Sequence, residues 1–356
     1  MLADLRHRQG HLLGRMEGIG FDLKREASLR MLTNDVVKSS VIEGENLNPI
    51  EVRSSIARKL EFDIAGLIQS SRDVDGLVEM MLDATQKFST PLTKERLFDW
   101  HATLFPTGRS GMQRIIVAQW RTLESGTMQV VSGPIGREKV HFEAPTADKL
   151  ENEMAAFFEW FENNNQIDPV VKAGIAHLWF VTIHSFEDGN GRIARAIGDM
   201  SLARADGTTD RFYSLSSQIE IERNNYYAQL ELQQGGTTDI TSWLNCFLDC
   251  LGRAINNAEK CLANVMFKAN LWHRINQKPV NDRQRHIINL MLDDGVEGFI
   301  NTSKYAKLAK CSNDTALRDI INLRDRGVFI QNQRGGRSTS YRLPDPECDK
   351  FISPKS

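Results

Sequence analysis

Residues 184–195, His-Ser-Phe-Glu-Asp-Gly-Asn-Gly-Arg-Ile-Ala-Arg, constrain the fold of this chain more than any other stretch. Just upstream, residues 170–183 are apolar on almost every side, which predicts a buried helix. Asp168-Pro169 ahead of them suits an N-cap followed by a first-turn proline. Downstream, residues 193–203 predict a second helix. The stretch is therefore predicted to be a loop between two core helices.

The start of the second predicted helix suits a phosphate group. Gly189 and Gly191 carry no side chain, so a ligand can approach the backbone closely there. The first N–H groups of a helix lack intrahelical partners, and the helix dipole adds partial positive charge. Arg192 and Arg195 are three residues apart and share one helix face, so both can hold a single polyphosphate.

Two other side chains of the stretch add chemical function. Asp188 offers a hard oxygen ligand for Mg²⁺, and a metal shared with phosphates needs few carboxylates from the protein. His184 can take up a proton near neutral pH. Alone, a Gly-Asn-Gly is usually a turn, a histidine is usually structural, and an arginine pair usually faces solvent. The complete stretch is more specific and indicates nucleotide phosphate chemistry.

The pattern His-x-Phe-x-Asp-Gly-Asn-Gly-Arg-x-x-Arg resembles the signature of the Fic family at every fixed position. Most Fic proteins transfer AMP from ATP to a hydroxyl of a target protein. The resemblance implies that His184 is the catalytic base, that ATP and Mg²⁺ are bound, and that Asp188 holds the metal. The nucleotide-binding residues that it implies are Ser185, Gly189, Asn190, Gly191, Arg192 and Arg195.

Composition narrows the class of protein. With 356 residues, the chain is long enough for two domains, and 41% hydrophobic and 25% charged residues are ordinary for a globular protein. A net charge of −2 gives no global field for nucleic acid or membrane. No long apolar run and no signal peptide are present, so no membrane association is expected. Five cysteines without a C-x-x-C pattern favour reduced thiols and a cytoplasmic location.

A glutamate near the N-terminus is predicted to need a cation. Residues 1–31 predict one long helix, and residues 35–43 predict a short helix that stops at Gly44. This stop puts Glu43 at the negative end of the helix dipole. Such a glutamate either faces solvent or pairs with an arginine elsewhere. Ser39-x-x-x-Glu43-Gly44 resembles the inhibitory motif of some Fic proteins. That resemblance implies that Glu43 pairs with Arg195 and blocks the seat of the ATP γ-phosphate.

Residues 106–146 change character from helical to β-prone. Glycines and a proline separate three β-prone pieces at 114–121, 128–132 and 140–142, which predicts a β-hairpin. The hairpin resembles the Fic flap, whose backbone clamps the target peptide as an added strand; a plain surface hairpin is the alternative. The predicted clamping edge is Met128, Gln129, Val130, Val131, Ser132 and Gly133.

Two adjacent tyrosines begin a helix after the core. Neighbouring side chains on a helix point about 100° apart, so one can pack inward while the other lines a pocket. Tyr226-Tyr227-x-x-Leu230 is similar to a pattern of many Fic proteins, in which a tyrosine contacts the nucleotide. The resemblance assigns that contact to Tyr227, and less directly to Tyr226. Core packing of both remains the alternative.

Lys278-Pro279 marks a predicted boundary, after which the pattern is typical of a winged helix. Helices are predicted at 283–292, 302–309 and 314–326, followed by a two-stranded turn. Residues 301–342 hold nine Lys or Arg against three Asp or Glu. This unit is therefore predicted to dock to DNA or to a protein. The arginines that could touch a DNA backbone are Arg318, Arg324, Arg334 and Arg337.

The sequence thus predicts a mainly α fold: a Fic helical core with a small β-hairpin flap, plus a C-terminal winged-helix domain. The predicted parts are an N-terminal helical region with the inhibitory helix (1–90, helix 35–44), the catalytic core (91–255), a linker helix (256–279) and the winged helix (280–345).

The predicted activity is AMP transfer to a Ser, Thr or Tyr hydroxyl of a target protein, restrained by the chain's own Glu43. Removal of AMP, transfer of another nucleotide or of phosphocholine, a DNA-binding regulator with a vestigial site, a toxin, and a homo-oligomer stay open. Gly191 argues against the kinase-like Doc relatives, which carry lysine there.

Overall fold

The computed structural model describes residues 1–62, 66–132, 139–163, 166–292, 299–332 and 339–344. Its chain divides into two compact units, residues 1–259 and 260–356. The helices of the first unit are α1 (Leu2–Glu17), α2 (Phe21–Ile42), α3 (Pro49–Lys59), α4 (Arg72–Gln86), α5 (Lys94–Leu104), α6 (Leu150–Asn163), α7 (Pro169–Ile183), α8 (Asn190–Asp206), α9 (Leu215–Ile221) and α10 (Arg223–Gln234). The division falls within α11 (Thr241–Asn276). The predicted mainly α fold is confirmed.

Helices α7 and α8 form the centre of the first unit. As predicted, the Asp168 side chain caps α7 by accepting from the Val170 N–H at 2.8 Å, and Pro169 occupies the first helical position. Helix α8 begins after Gly189, whose φ of 81° suits a residue without a side chain. Both helices are buried along most of their length, so the loop that joins them is held rigidly between two packed elements.

The N-terminal helices differ from the prediction. One helix over the first 31 residues and a separate short helix at 35–43 were expected, but α1 ends at Glu17 and α2 runs unbroken to Ile42. The glycines at 18 and 20 separate the two helices, because glycine is a poor helix former. Burial of Leu29, Leu32 and Val36 keeps α2 helical across residues 32–34, where a break between two helices was expected. The predicted stop is correct: Gly44 has a φ of 86°.

A buried carboxylate fastens α2 to the segment before α9. Asp35 is 5% exposed, and its Oδ1 accepts from the Ser214 hydroxyl at 2.6 Å and from the Ser216 N–H at 3.1 Å. Nearer the end of α2, Lys38 pairs with Glu220 of α9 at 3.2 Å. Helix α2 is therefore anchored by polar contacts one and two turns before its C-terminus.

The strands of the first unit form two small antiparallel pairs. Strand β1 (Arg109–Ser110) pairs with β2 (Gln113–Arg114), and β3 (Gln129–Ser132) pairs with β4 (Lys139–Glu143). The second pair is the predicted hairpin, with Val130 opposite Phe142 and a register shift after Val130.

The strand predicted over 114–121 was wrong beyond Arg114. The backbone N–H of Ile116 donates to Glu187 at 2.7 Å, and that of Ala118 donates to His101 at 3.2 Å. These amides therefore bind side chains instead of a neighbouring strand.

The second unit contains α12 (Asp282–Leu292), α13 (Thr302–Leu308), α14 (Asn313–Asp325) and the antiparallel pair β5 (Ile330–Gln331) and β6 (Tyr341–Arg342). Its core includes Ile287, Ile288, Tyr305, Ile320, Leu323 and Phe329. The winged-helix assignment and DNA contact stay predictions. Arg318 is exposed and Arg324 pairs with Asp325 at 2.7 Å, while Arg334 and Arg337 lie outside the described residues.

Among the described residues, none of the helices combines the length and the apolar character that crossing a membrane requires.

Candidate active site

His184 lies where α7 ends, in a conformation that few non-glycine residues adopt. Its φ is 52° and its ψ is 56°, which is the left-handed region. Arg121 stabilises this turn twice: its Nε donates to the His184 carbonyl at 2.8 Å, and its backbone N–H donates to the Ser185 carbonyl at 3.0 Å. The strained turn is thus held from outside the α7–α8 pair, which fixes the direction of the imidazole.

One ring nitrogen of His184 donates a hydrogen bond within α7, and the other can accept a proton. Its Nδ1 lies 3.2 Å from the Val181 carbonyl, which can only accept, so Nδ1 carries the hydrogen. Nε2 therefore keeps its lone pair. Burial lowers the pKa of His184 below its ordinary value, and the charge of Arg121 lowers it further. Near neutral pH the imidazole is unprotonated, as a general base must be.

The loop after His184 is anchored by Phe186 and Asn190. Phe186 is fully buried, and its ring stacks on His101 with centroids 4.2 Å apart. The Asn190 amide donates to the Phe186 carbonyl at 2.8 Å and accepts from its N–H at 3.0 Å. The oxygen and one N–H of this amide are therefore engaged within the loop, and the phosphate contact of Asn190 stays a prediction. Ser185 is fully buried, and its Oγ bonds to no other group in the described residues.

Asp188 turns its carboxylate toward the start of α8 and the β1–β2 turn. One oxygen accepts from the Gly189 N–H at 2.6 Å, and the other accepts from the Ser110 hydroxyl. His101 holds the backbone of the same residue, because its Nε2 lies 3.2 Å from the Asp188 carbonyl. The sequence analysis identified neither Ser110 nor His101 as a partner of Asp188.

A divalent metal fits Asp188 only if a ligand supplies most of the coordination. No group of three or more His, Cys, Asp or Glu suited to a metal occurs among the residues that the structure describes. Mg²⁺ commonly binds one or two carboxylates together with substrate phosphates and water. The single carboxylate beside the helix start matches that pattern, so Asp188 would hold the metal together with the phosphates.

The predicted pairing of Glu43 with Arg195 is present. Glu43 Oε1 lies 2.8 Å from Arg195 Nη2, and Arg195 also donates to the Ser39 hydroxyl and to the Ser39 carbonyl, each at 2.8 Å. Arg195 is 2% exposed, so its charge depends on these partners. Both polar residues of the motif at the end of α2 thus bind the same guanidinium.

Glu43 also lies against the backbone at the start of α8. A Cβ built on Gly191 would be only 2.3 Å from Glu43 Oε1. A carboxylate this close to the first turn of a helix lies in the region where a phosphate is expected. A side chain at position 191 would therefore displace the Glu43 carboxylate from this place.

Arg192 has an acidic partner that the sequence analysis missed. Its Nη1 lies 2.9 Å from Glu45 Oε2, and its guanidinium centre lies 5.1 Å from the centroid of the Phe105 ring. Glu45 comes two residues after Glu43 in the same turn. The acidic spacing Glu-Gly-Glu was the signal in the sequence that could have indicated it.

The two tyrosines of α10 face different ways, as their spacing predicts. Tyr226 is 6% exposed, and its hydroxyl lies 2.8 Å from Nε2 of the buried His177. Tyr227 is 38% exposed, and its hydroxyl donates to the Ile42 carbonyl at 3.2 Å. Tyr227 is therefore the better candidate for contact with a ligand, while Tyr226 packs behind Arg195.

A cleft of about 620 Å³ brings the separate parts together. Glu43, Gly191, His184 and Tyr227 all line it, and Val130 contributes from β3. Gly133, the last residue of the predicted clamping edge, lies outside the described residues. A larger groove of about 1020 Å³ beside α4 and α5 contains none of the predicted site residues, so the smaller cleft is the candidate active site.

Comparison with known proteins gives two family matches along the chain. Residues 91–202 match the family model described as the Fic/DOC family. The chain carries a Fic domain. Residues 1–62 match a second model, described as a domain of unknown function, DUF4172. Ser39 and Glu43, the residues of the predicted inhibitory motif, fall within this second match, outside the Fic domain.

The matches to curated relatives cover only part of each protein. The protein adenylyltransferase Fic of Nematostella vectensis is 31% identical over 114 residues, which cover 32% of this chain and 25% of that protein. The protein adenylyltransferase fic-1 of Caenorhabditis elegans is 28% identical over 127 residues, which cover 35% of this chain and 23% of that protein. The chain therefore spans about a quarter of the length of these relatives.

A solved structure agrees with the fold along most of the chain. A Fic family protein from Desulfovibrio desulfuricans G20 is similar with a TM-score of 0.53 and 19% identity, over 96% of this chain and 95% of that one. At this identity the likeness concerns the fold alone.

One close contact between a histidine and a carboxylate joins the hairpin beside the Fic domain's cleft to α10. His141 Nδ1 of β4 lies 3.0 Å from Glu231 Oε2. Replacing Glu231 with glutamine should loosen β3 and β4 and raise KM for a protein target about two- to fivefold, because a partly exposed pair contributes little more than that. The Kd for ATP should not change. His141→Gln should give the same effect, and the double variant should be no worse than either single one. Additive effects would contradict the pairing.

Two buried histidines of the Fic domain should make its stability fall in acid. Burial lowers the pKa of His177 to about 3 and that of His101 to about 4. In the unfolded chain the pKa of both histidines is about 6.5. Between that pH and about pH 5, both histidines are therefore protonated in the unfolded chain but not in the folded one. From about pH 7 to about pH 5, each should lower the free energy of unfolding by about 2 kcal/mol.

Urea unfolding at the two pH values, followed by tryptophan fluorescence, measures this loss. His177→Gln and His101→Gln should each reduce the pH dependence. An unchanged dependence in both variants would assign the acid sensitivity to other groups.

Proposed function

We propose that this chain transfers AMP from ATP to a Ser, Thr or Tyr hydroxyl of a target protein. The observation that carries the proposal is that His184, with Nε2 available, and the start of α8 line one cleft. The curated relatives named protein adenylyltransferase support the same activity for their matched segment. A base and an anion site in one cleft are the two elements that the transfer of a phosphate-linked group requires.

In this proposal the triphosphate binds at the start of α8. Backbone N–H groups near Gly189 and Gly191 donate to phosphate oxygens, together with the second N–H of the Asn190 amide, whose first N–H binds within the loop. Arg192 and Arg195 hold the β- and γ-phosphates once their carboxylate partners leave. Tyr227, exposed in the cleft, contacts the base or sugar.

The proposed reaction is an in-line displacement at the α-phosphorus. The target hydroxyl oxygen forms a bond to that phosphorus, and the bond from phosphorus to the oxygen that bridges the α- and β-phosphates breaks. The hydroxyl proton passes to His184 Nε2, and pyrophosphate leaves with the bonding electrons. Asp188 would hold a divalent metal, which would supply positive charge to offset the charge that develops on the leaving group.

The hairpin is proposed to present the target. In the described residues, β3 pairs only with β4, so its other edge has backbone groups that an extended peptide could bind. Val130 of β3 lines the same cleft as His184. The clamping residues in this proposal are Met128, Gln129, Val130, Val131, Ser132 and Gly133.

Glu43 is proposed to restrain the transfer. Its carboxylate binds Arg195 and lies against Gly191, which is where the end of the triphosphate must bind. ATP and Glu43 cannot both occupy this position, because a carboxylate and a phosphate oxygen compete for one guanidinium.

Isotopically labelled ATP tests the activity directly. The protein and its Glu43→Gly variant are incubated with cell lysate and ATP labelled at either the α- or the γ-phosphate. AMP transfer labels protein bands from α-labelled ATP only, and the modified peptides gain the mass of one AMP. Label from γ-labelled ATP would indicate a kinase instead. Loss of label from AMP-modified protein on adding the enzyme would favour AMP removal, with Glu43 activating water.

DNA binding by the second unit is a separate candidate, favoured by the basic composition of residues 301–342 and by the exposed Arg318 of α14. Electrophoretic mobility of a duplex at rising salt tests it, since affinity from phosphate contacts falls steeply with salt. Arg318→Ala should weaken such binding, whereas binding that persists unchanged would exclude α14 as the DNA contact.

A further inference from the structure

One short turn after α2 carries two carboxylates, and they bind both arginines of the α8 start. Glu43 pairs with Arg195 at 2.8 Å, and Glu45 pairs with Arg192 at 2.9 Å. The backbone N–H groups of Glu43 and Glu45 both donate to the Ser40 carbonyl at 3.0 Å. The turn is thus closed by hydrogen bonds to the last turn of α2, and both side chains leave it toward α8.

The two ion pairs differ in how they are supported. Arg195 keeps two hydrogen bonds to Ser39 besides its bond to Glu43. Arg192 is 5% exposed, and its Nε bonds to no group in the part of the chain that the structure describes. Glu45 is therefore a principal partner of a buried guanidinium, and any anion that takes its position gains the same interaction.

We propose that Glu45 lowers the affinity of the cleft for nucleoside triphosphates by occupying Arg192, separately from the action of Glu43 on Arg195. This inference rests on the proposed function, because it assumes that the arginines receive phosphates. ATP then displaces two carboxylates, one from each arginine. Removal of Glu43 alone leaves Arg192 paired, so it frees only part of the phosphate site.

The exposure of Glu45 sets the size of its effect. Its side chain is 49% exposed, compared with 31% for Glu43, so water and salt weaken its hold on Arg192. Competition from Glu45 should therefore lower the affinity for ATP less than competition from Glu43 does. The expected contribution of Glu45 is about two- to fivefold in Kd.

Calorimetric titration of the full chain with ATP tests the proposal. Four proteins are compared: the natural chain, Glu43→Gly, Glu45→Gln and the variant with both changes. Glu45→Gln should lower the Kd for ATP about two- to fivefold in the Glu43→Gly background. The gain should shrink at high salt, and it should be absent for adenosine, which has no phosphate to offer Arg192.

Glu26→Gln is the matched control. Glu26 lies on α2, its side chain is 46% exposed, and it pairs with Arg53 at 2.7 Å away from the cleft. Its substitution removes a comparable surface ion pair and should leave the Kd for ATP unchanged. Thermal melting of each variant shows whether all are equally folded.

Three outcomes would overturn the proposal: an unchanged or raised Kd for ATP in the double variant, an equal gain with adenosine, or an equal gain in the control. The proposed function fails in a different way. If Glu45→Gln tightens ATP binding but no variant transfers AMP, the role of Glu45 stands and the reaction is wrong. If no variant binds ATP, both proposals fall.

Discussion

Replacing Glu43 with glycine is expected to raise AMP transfer at least several-fold. The substitution removes the carboxylate that binds Arg195 and lies against Gly191, so the end of the triphosphate no longer competes with it. Each tenfold gain in occupancy corresponds to about 1.4 kcal/mol, a modest share of what a buried charge pair can contribute. Incorporation of label from α-labelled ATP into protein measures the change.

Two further variants make this result interpretable. Glu43→Gln keeps the shape of the side chain without its charge, so it should fall between the natural chain and the glycine variant. Glu61→Gly makes the same change at an exposed glutamate with a φ of 55°, outside the cleft, and should leave transfer unchanged. A Glu43→Gly protein that labels no faster than the Glu61→Gly protein would contradict the restraint.

Replacing His184 with alanine in the Glu43→Gly background should lower transfer by about 10²–10⁴-fold, the usual contribution of a general base. ATP binding should change little, because the phosphate contacts come from the start of α8 and from its arginines. The same variants also test the pH dependence of transfer. Since burial holds the pKa of His184 below its ordinary value of about 6.5, the rate should be level near neutral pH and fall only in more acidic solution.

The controls for His184 separate chemistry from folding. His7→Ala makes the same substitution at an exposed histidine of α1 and should not affect transfer. Calorimetry with ATP shows whether the His184→Ala protein still binds nucleotide. Transfer that survives in a protein that binds ATP normally would rule out His184 as the base.

The helical core was predictable because its signals are local. Asp168 and Pro169 specify where α7 begins, and Gly189 and Gly191 specify the loop before α8. The full length of α2 was not predictable, because burial against other helices keeps its middle helical where local propensity is weak. The irregular course of residues 115–121 was also missed, since it depends on contacts with Glu187 and His101, which are distant in sequence.

The candidate site shows the same division. The pairing of Glu43 with Arg195 followed from a short motif and a resemblance, and the structure contains it. The partners Ser110 and Arg121 could not be inferred, because nothing in their own segments indicates that they bind the loop after α7. The ligand role that the motif gives Asn190 stays a prediction, and the hydrogen bonds of its amide to Phe186 were not foreseen. The motif indicated that Asn190 lies in this loop, but it did not indicate that the side chain binds Phe186.

The buried Asp35 limits which movements of α2 could release the proposed restraint by Glu43. The Asp35 carboxylate accepts hydrogen bonds from Ser214 and Ser216. Helix α2 therefore cannot move away as a rigid body without breaking the hydrogen bonds of a buried carboxylate. We therefore expect opening to consist of side-chain rotation and unwinding after Val41, around Gly44. Under the proposed restraint, releasing Glu43 would require changes in only a few residues, while the rest of the N-terminal helices stay folded.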